Sequence, residues 1–288
     1  MRALLILPVL LAATPAFAQD APPNGMMPDR VPLTADPDKE TITIAAAGIY
    51  SPDYEGSNDY ALYAAPAVIG STGGFAFQIA GNRASIDLIP NPKGPRWDIQ
   101  AGPVAVLDLN RSRLSGISDP RVRALGRRDA SIELGGYVGI GKTGVLTSPY
   151  DKLSISLSYR KGISGAQRGG VLQPTITYLT PLSTKAFAGI VLTAERAERG
   201  YGRAYFDVNA AGSLASGLPQ FTTRGGWKNY SITFGTGYAL TGDLTHGIKL
   251  GVGGSYGRML NDFADSPVVA IAGSKDQWLF AAGLGYTF

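Results

Sequence analysis

The sequence of 288 residues contains no cysteine and only one histidine. The lack of cysteine excludes disulfide bonds, thiolate nucleophiles and cysteine-based metal sites. No segment approaches about twenty consecutive apolar residues, so membrane-spanning helices are not expected. The 26 basic and 22 acidic residues are dispersed along the chain, and the net charge of +4 is too small to indicate a nucleic-acid partner.

The N-terminus predicts export. A short basic start, Met1-Arg2, is followed by the apolar run Ala3 to Ala13 and by the small-x-small site Ala16-Phe17-Ala18. This order is typical of a signal peptide, so residues 1–18 are expected to direct Sec export and to be cleaved after Ala18. Residues 19–40 are rich in proline and aspartate, and we expect a disordered periplasmic lead-in there.

Side-chain alternation is the main structural signal, and it is clearest in residues 277–288. Bulky apolar residues occupy the even positions, with rings at both ends and aliphatic side chains between them: Trp278, Phe280, Ala282, Leu284, Tyr286 and Phe288. Small and mostly polar residues occupy the odd positions. Such a segment resembles a lipid-facing barrel strand with an aromatic ring at each membrane interface. Taken alone, it is also compatible with the last strand of a soluble sandwich.

The same alternation recurs along the chain and predicts about twelve strands. They are expected at 41–50, 60–70, 74–81, 83–90, 96–109, 129–142, 151–160, 169–180, 185–195, 227–241, 245–258 and 277–288. Leu157 is expected to face lipid, and its neighbour Ser156 to face the lumen. Twelve strands enclose an interior too wide for side chains alone to fill, which favours a wet lumen. The fold class is therefore an all-β, single antiparallel transmembrane β-barrel that occupies residues 41–288.

The lengths of the connections support this topology. Short turns alternate with longer connections, apart from a tight hairpin at Gly81-Asn82 and a modest loop at 161–168. Outer-membrane barrels have short periplasmic turns and longer surface loops. An even number of strands places both termini in the periplasm, so the expected location is the cell outer membrane.

Several short segments resemble the MipA/OmpV family. They are Ser51 to Ser57, Arg128-Asp129 ahead of Leu134-Gly135, Tyr205 to Val208 with Ala215 to Pro219, Asp265 to Val269 with Gly273, and the terminal Gly285 to Phe288. Asn209 stands where the family pattern is looser, and the arginine-rich stretch from Arg111 is particular to this sequence. The resemblance implies an outer-membrane protein, and one family member is a scaffold between a murein lytic transglycosylase and a murein synthase.

Catalysis and cofactor binding are not expected. Residues 136–143 satisfy the phosphate-loop pattern, but no helix is predicted after them, so a glycine-rich strand that ends in a turn is favoured. The only histidine, His246, falls in a predicted periplasmic turn, far from the surface rim where barrel hydrolases would need a base. No acidic cluster has the spacing of a metal site.

Two groups of residues are candidate functional sites. The third surface loop contains six arginines: Arg111, Arg113, Arg121, Arg123, Arg127 and Arg128. Arginine binds phosphate groups well, so these residues either contact lipopolysaccharide or form a charged constriction in the lumen. The alternative is that they make only local ion pairs in a solvated loop. The C-terminal Phe288, with Tyr286, is expected to be the signal that the barrel assembly machinery recognises.

Two functions stay open. The first is a structural or interaction role in envelope maintenance, as the family resemblance implies, with the two murein enzymes as partners alongside outer-membrane lipid. The second is a small-solute channel with a lumen lined by charged residues, namely Asp87, Asp98, Glu133, Arg160 and Lys249.

Overall fold

The computed structural model describes residues 26–29, 40–91, 94 and 96–288. Within them, twelve antiparallel strands form a closed barrel in which consecutive strands pair and the first closes on the last. The strands β1 to β12 are Ile42–Pro52, Tyr60–Thr72, Phe75–Ala80, Arg83–Ile86, Trp97–Asp108, Ser131–Thr143, Lys152–Gly162, Gly170–Pro181, Ala186–Ala197, Gly226–Ala239, Gly247–Met259 and Asp276–Thr287. The predicted fold class and strand number are confirmed. The expected signal peptide lies outside the described residues.

The predicted assignment of the two barrel faces is also confirmed. In β12 the even-numbered side chains from Trp278 to Phe288 are exposed on the outside, where lipid lies. In β7, Leu157 is exposed outward, whereas Ser154 and Ser158 are buried on the lumen side. A one-residue shift in register would exchange these faces, so the match fixes the register as well as the topology. No described helix is long and apolar enough to cross a membrane.

Connections at the two ends of the barrel differ as predicted. The turns at 73–74, 144–151, 182–185 and 240–246, and the described residues 87–91 after β4, lie at the end that carries the C-terminus. The opposite, outer end carries the connections 53–59, 81–82, 109–130, 163–169, 198–225 and 260–275. Gly81 has a φ of 57°, which allows the tightest of these outer connections to turn within two residues.

The outer connections are more ordered than the predicted surface loops. They contain a 3-10 turn at Leu114–Gly116 and five short helices, α1 to α5: Pro120–Ala124, Arg199–Tyr205, Ala210–Ser216, Asn261–Asp265 and Pro267–Ala270. We call these packed connections the cap. Two apolar clusters hold the cap together, and most of the largest buried apolar side chains belong to it.

The outer half of the lumen differs from the predicted wet interior. Val104, Val106 and Tyr137 point inward and are buried against one another. Met26 also lies inside the barrel, where it packs against Ile49 and Leu279. Residues 26–29 of the predicted periplasmic lead-in are thus inside the lumen, while the rest of that segment, apart from Glu40, lies outside the described residues. Lumen-facing side chains and residues 26–29 therefore fill space that would otherwise hold water in a barrel of twelve strands.

Candidate functional site

The cap seals the outer mouth through contacts between distant loops. The Tyr54 hydroxyl donates to the backbone carbonyls of Ala272, at 2.7 Å, and Val268, at 3.2 Å. Ser266 Oγ donates to the Phe206 carbonyl at 2.6 Å. These bonds join the connections 53–59, 198–225 and 260–275, so the cap is a single packed unit.

Aromatic packing reinforces the same junction. The rings of Phe206 and Phe263 meet edge to face with their centroids 5.2 Å apart. Tyr201 contacts Tyr205 in the same manner at 5.1 Å. Edge-to-face pairs of this kind add about 0.5–1.5 kcal/mol beyond the burial of their area. The cap therefore has a core of its own above the barrel mouth.

A layer of buried charges lies beneath the cap, centred on Arg160 of β7. Its guanidinium makes ion pairs with Glu133 at 2.5 Å, Glu195 at 2.7 Å and Asp29 at 2.6 Å, and its side chain has no exposed surface. Gln167 Nε2 donates to the other carboxylate oxygen of Glu133 at 2.7 Å. A guanidinium carries five N–H donors, which allows one side chain to serve three carboxylates.

Lys228 extends the charged layer to the cap. A register irregularity between Trp227 and Asn229 turns Lys228 inward, against the strict alternation of β10. Its Nζ lies 2.6 Å from both Glu195 and Glu55. Because Glu55 also accepts from the Tyr201 hydroxyl at 2.8 Å, the wall of the barrel is connected to two cap loops.

The N-terminal segment completes this layer. Asp29 pairs with Arg83 as well as Arg160, and it accepts from Ser158 Oγ at 2.6 Å. The Asp29 backbone N–H donates to Gln173 Oε1 at 2.7 Å, and Gln173 Nε2 donates to the Met27 carbonyl at 3.2 Å. Gln78 Nε2 of β3 donates to the Asp29 carbonyl at 3.2 Å, so residues 26–29 are bonded to four strands through both side-chain and backbone atoms.

The charged residues predicted to line a channel do not form one continuous path. Glu133 and Arg160 belong to the buried layer. Asp98 lies at the periplasmic end, where it pairs with Lys152 at 2.7 Å. Lys249 bonds to Thr287 at the same end, and Asp87 accepts backbone N–H bonds that hold the turn after β4.

The six arginines of the third loop do not act as one site. Arg111 is buried, and its guanidinium donates to the carbonyls of Tyr205 at 2.9 Å and Gly126 at 3.4 Å, so it holds the cap together. Burial, assisted by nearby Arg128, lowers the pKa of Arg111 to about 10. Arg128 is half-buried beside it. Arg111 therefore belongs to the interior of the cap.

The other four arginines lie nearer the surface. Arg121 pairs with Asp119, the N-cap of α1, at 2.7 Å. Arg127 pairs with Asp129 at 2.8 Å, and both side chains are exposed. Arg113 and Arg123 are exposed as well. The structure thus separates the predicted set into internal and external groups.

The remaining predicted residues lie where the sequence places them. His246 is exposed in the periplasmic turn after β10, with its ring 5.7 Å from that of Tyr286. Residues 136–143 form part of β6. Phe288 is exposed at the end of the lipid-facing column, and its ring contacts Tyr286 at 4.8 Å. Among the described residues, no cluster of histidine and acidic side chains is arranged to hold a metal ion.

The cap also brings together four of the short segments quoted for the family resemblance. Tyr54, Leu218 and Val268 come from three different segments and belong to one apolar cluster. Phe206, from a fourth segment, accepts the bond from Ser266. The family model described as "MltA-interacting protein MipA" matches residues 44–288. The chain belongs to the MipA family. The cap is therefore where much of the family pattern resides, and the chain is an outer-membrane β-barrel protein.

Solved barrels similar to this MipA family member share little sequence with it. The NanC porin has 11% identity and a TM-score of 0.48, and the match covers 84% of this chain and 98% of the porin. An outer-membrane channel from Pseudomonas putida F1 has 11% identity and a TM-score of 0.47, with coverage of 91% and 100%. No curated protein matches the chain. Identities this low give no information about a substrate.

Sequence reasoning missed most of the charged layer. The composition of residues 19–40 predicts disorder at Asp29. Strict alternation along β10 predicts that Lys228 faces lipid, and only the register irregularity turns it inward. A usable signal was present in Arg83, Glu133, Arg160 and Glu195, which all occupy lumen-facing positions near the outer ends of their strands.

Proposed function

We propose that this chain is an outer-membrane scaffold that binds murein enzymes at its periplasmic end. The first partner is a lytic transglycosylase of the MltA class, and the second is a murein synthase. In this role the protein is exported by the Sec pathway, cleaved after Ala18 and inserted by the barrel assembly machinery. Membership of the family described as MltA-interacting supports the choice of partner.

The closed outer mouth is the observation that carries the proposal. In the described part of the chain, the cap and the charged layer occupy the outer half of the lumen. A solute channel would need a water-filled path through this region, whereas a scaffold needs only a rigid barrel and an accessible end. The arrangement therefore favours an interaction role over conduction.

The periplasmic turns offer a surface for such a partner. Leu88, Leu146 and Leu182 lie in three different turns and are 62%, 71% and 65% exposed. The turn that carries Leu146 bonds to β8 through Thr147 and Thr180 Oγ1 atoms 2.7 Å apart, which places it close to the turn of Leu182. Apolar side chains in adjacent turns are the kind of group that protein partners cover.

Crosslinking in intact envelopes tests the scaffold. We expect the wild-type protein to recover a lytic transglycosylase, and the double variant Leu146→Ser, Leu182→Ser to recover much less of it. The matched control is Leu214→Ser, which removes an exposed leucine from the cap at the opposite end of the barrel. Equal recovery by the double variant would remove the periplasmic turns from the interface, and no recovery by the wild type would refute the partner.

A channel is the second candidate, because polar groups line the periplasmic part of the lumen. Asp98, Lys152 and Lys249 are within that region. Planar-bilayer recording of the purified full-length protein separates the two functions. We expect no steady conductance from the scaffold, and stable unit currents would favour the channel instead.

A further inference from the structure

A depression of about 470 Å³ lies beside the third outer loop, on the outside of the barrel. Seven residues line it: Leu107, Leu109, Ser112, Arg113, Arg127, Asp129 and Ala130. The volume is within the range of about 300–1,000 Å³ that is common for ligand sites. It belongs neither to the cap core nor to the charged layer of the lumen.

Its position relative to the membrane follows from β5 and its neighbours. Leu107 points to the outside of the barrel, like the other odd-numbered residues of β5, and it pairs with exposed Ile132 of β6. The floor of the depression is therefore part of the lipid-facing surface. Aromatic rings mark the outer ends of other strands, where Tyr50 stacks on Tyr60 at 5.2 Å. Outward-facing rings of this kind lie at the membrane interface. The floor is thus at the boundary between acyl chains and headgroups.

The loop geometry sets two guanidinium groups at this depression. Arg111 has a φ of 58°, and its carbonyl accepts from the Arg128 N–H at 3.0 Å, which closes the loop base. Arg113 and Arg127 lie inside the loop that this hydrogen bond closes, one near each of its ends. Arg127 engages Asp129 through one terminal nitrogen, and the guanidinium has further N–H donors for a second anion.

The lining matches one class of ligand. Arginine binds phosphate oxygens in a bidentate manner, and leucine side chains at the floor suit a hydrocarbon chain. A ligand that satisfies both must be an anionic amphiphile in the outer leaflet. We propose that this depression binds one phosphorylated lipid A of lipopolysaccharide, with the phosphate at Arg113 and Arg127 and the start of an acyl chain at Leu107 and Leu109.

The test uses the purified full-length barrel in detergent, with diphosphorylated lipid A as the probe and native mass spectrometry as the readout. We expect the wild type to retain one lipid A, and the double variant Arg113→Ala, Arg127→Ala to bind it at least about tenfold more weakly. Arg123→Ala is the matched control, because this arginine is exposed in the same loop but does not line the depression. Asp129→Asn should strengthen binding, since it removes the carboxylate that competes with phosphate.

Two further measurements distinguish lipid A binding from the binding of free phosphate. Lipid A without phosphates should bind as weakly to the wild type as diphosphorylated lipid A binds to the double variant. If millimolar inorganic phosphate fully displaces lipid A, the site recognises free phosphate and the lipid assignment is wrong. Equal binding by the wild type and the double variant would also overturn it. Because both arginine side chains are exposed, heat-dependent gel mobility should show that every variant is a folded barrel.

Discussion

Arg160 and Asp29 form an ion pair of 2.6 Å although they are 131 positions apart in the sequence. The pair joins a strand of the barrel wall to a segment that precedes the first strand. Its consequence is that the N-terminal segment forms part of the lumen. The wall, the segment and the cap meet in one charged layer in the outer half of the barrel.

An engineered disulfide tests the position of the N-terminal segment. A Cβ added at Gly257 would lie 3.0 Å from Met26 Cγ, the atom that a cysteine sulfur would replace. We expect Met26→Cys with Gly257→Cys to form a disulfide in the otherwise cysteine-free chain, measured as a loss of thiol labelling without reductant. Met26→Cys with Gly251→Cys is the control, because position 251 faces the lumen on the same strand but has no atom within 4 Å. Equal crosslinking of the two pairs would contradict the position.

Because Arg160 is the centre of the charged layer, its removal should lower the free energy of unfolding by a large amount. Arg160→Met leaves three buried carboxylates without their shared partner, and breaking a buried ion pair costs about 3–5 kcal/mol. Denaturant titration in lipid vesicles measures the change in the free energy of unfolding. Arg258→Met removes an ion pair with Asp276 that is nearly half exposed and screened by solvent, so it should lower the free energy of unfolding much less than Arg160→Met does. Similar losses in the two variants would mean that the layer contributes little.

The two faces of β7 should respond differently to charge. Leu157 faces lipid, where an arginine near the membrane midplane costs about 2–4 kcal/mol. Ser156 is half-buried and faces the lumen opposite Gly139, so a charge added there lies on the polar inner face and avoids lipid. Leu157→Arg should therefore reduce the free energy of unfolding in vesicles much more than Ser156→Arg. The reverse order would show that the lipid and lumen faces are exchanged.

Asp151 predicts a pH dependence of the periplasmic turn 144–151. Burial alone would raise the pKa of Asp151, but the N–H groups of Thr147, Val145 and Leu146 and the Tyr178 hydroxyl bond to its carboxylate and hold the pKa well below its ordinary value. Its stabilising contribution is therefore complete above about pH 4, the unfolded value, and is lost as the pH falls through the lower folded value.

Substitution isolates this contribution. Asp151→Asn should lower the free energy of unfolding at neutral pH by about 1–3 kcal/mol, since buried N–H donors lose a charged acceptor. It should also flatten the pH dependence of the free energy of unfolding below pH 4. Asp265→Asn, at an exposed ion pair with Lys275, is the control and should change stability little. An unchanged slope in the Asp151 variant would contradict the assignment.

Phe288 should matter for assembly more than for the energy of the fold. Its ring is exposed at the end of the lipid-facing column, while its N–H donates to the Ile42 carbonyl at 2.9 Å. Phe288→Ala retains this hydrogen bond, so refolding into detergent should stay close to normal while the amount in the outer membrane falls. Phe280→Ala changes an internal ring of the same face and serves as the control. Equal cellular levels for both variants would refute a signal at Phe288.

The sequence by itself determined the barrel, because local alternation is enough to define strands and faces. The pattern from Trp278 to Phe288 specifies a lipid-facing column, and the lengths of the connections specify which end is periplasmic. These features follow from the two-residue repeat of a strand and from the apolar character of the bilayer. Both can be read from the local sequence without knowledge of contacts between distant residues.

Only the tertiary structure decided what fills the barrel. Asp29 lies in a proline-rich segment without periodicity, and Lys228 turns inward at an irregularity that no local pattern marks. The division of the six loop arginines into buried Arg111 and exposed Arg113 and Arg127 depends on which loops pack against them. Long-range ion pairs and loop packing are set by the three-dimensional meeting of segments, so their partners cannot be obtained from spacing along the chain.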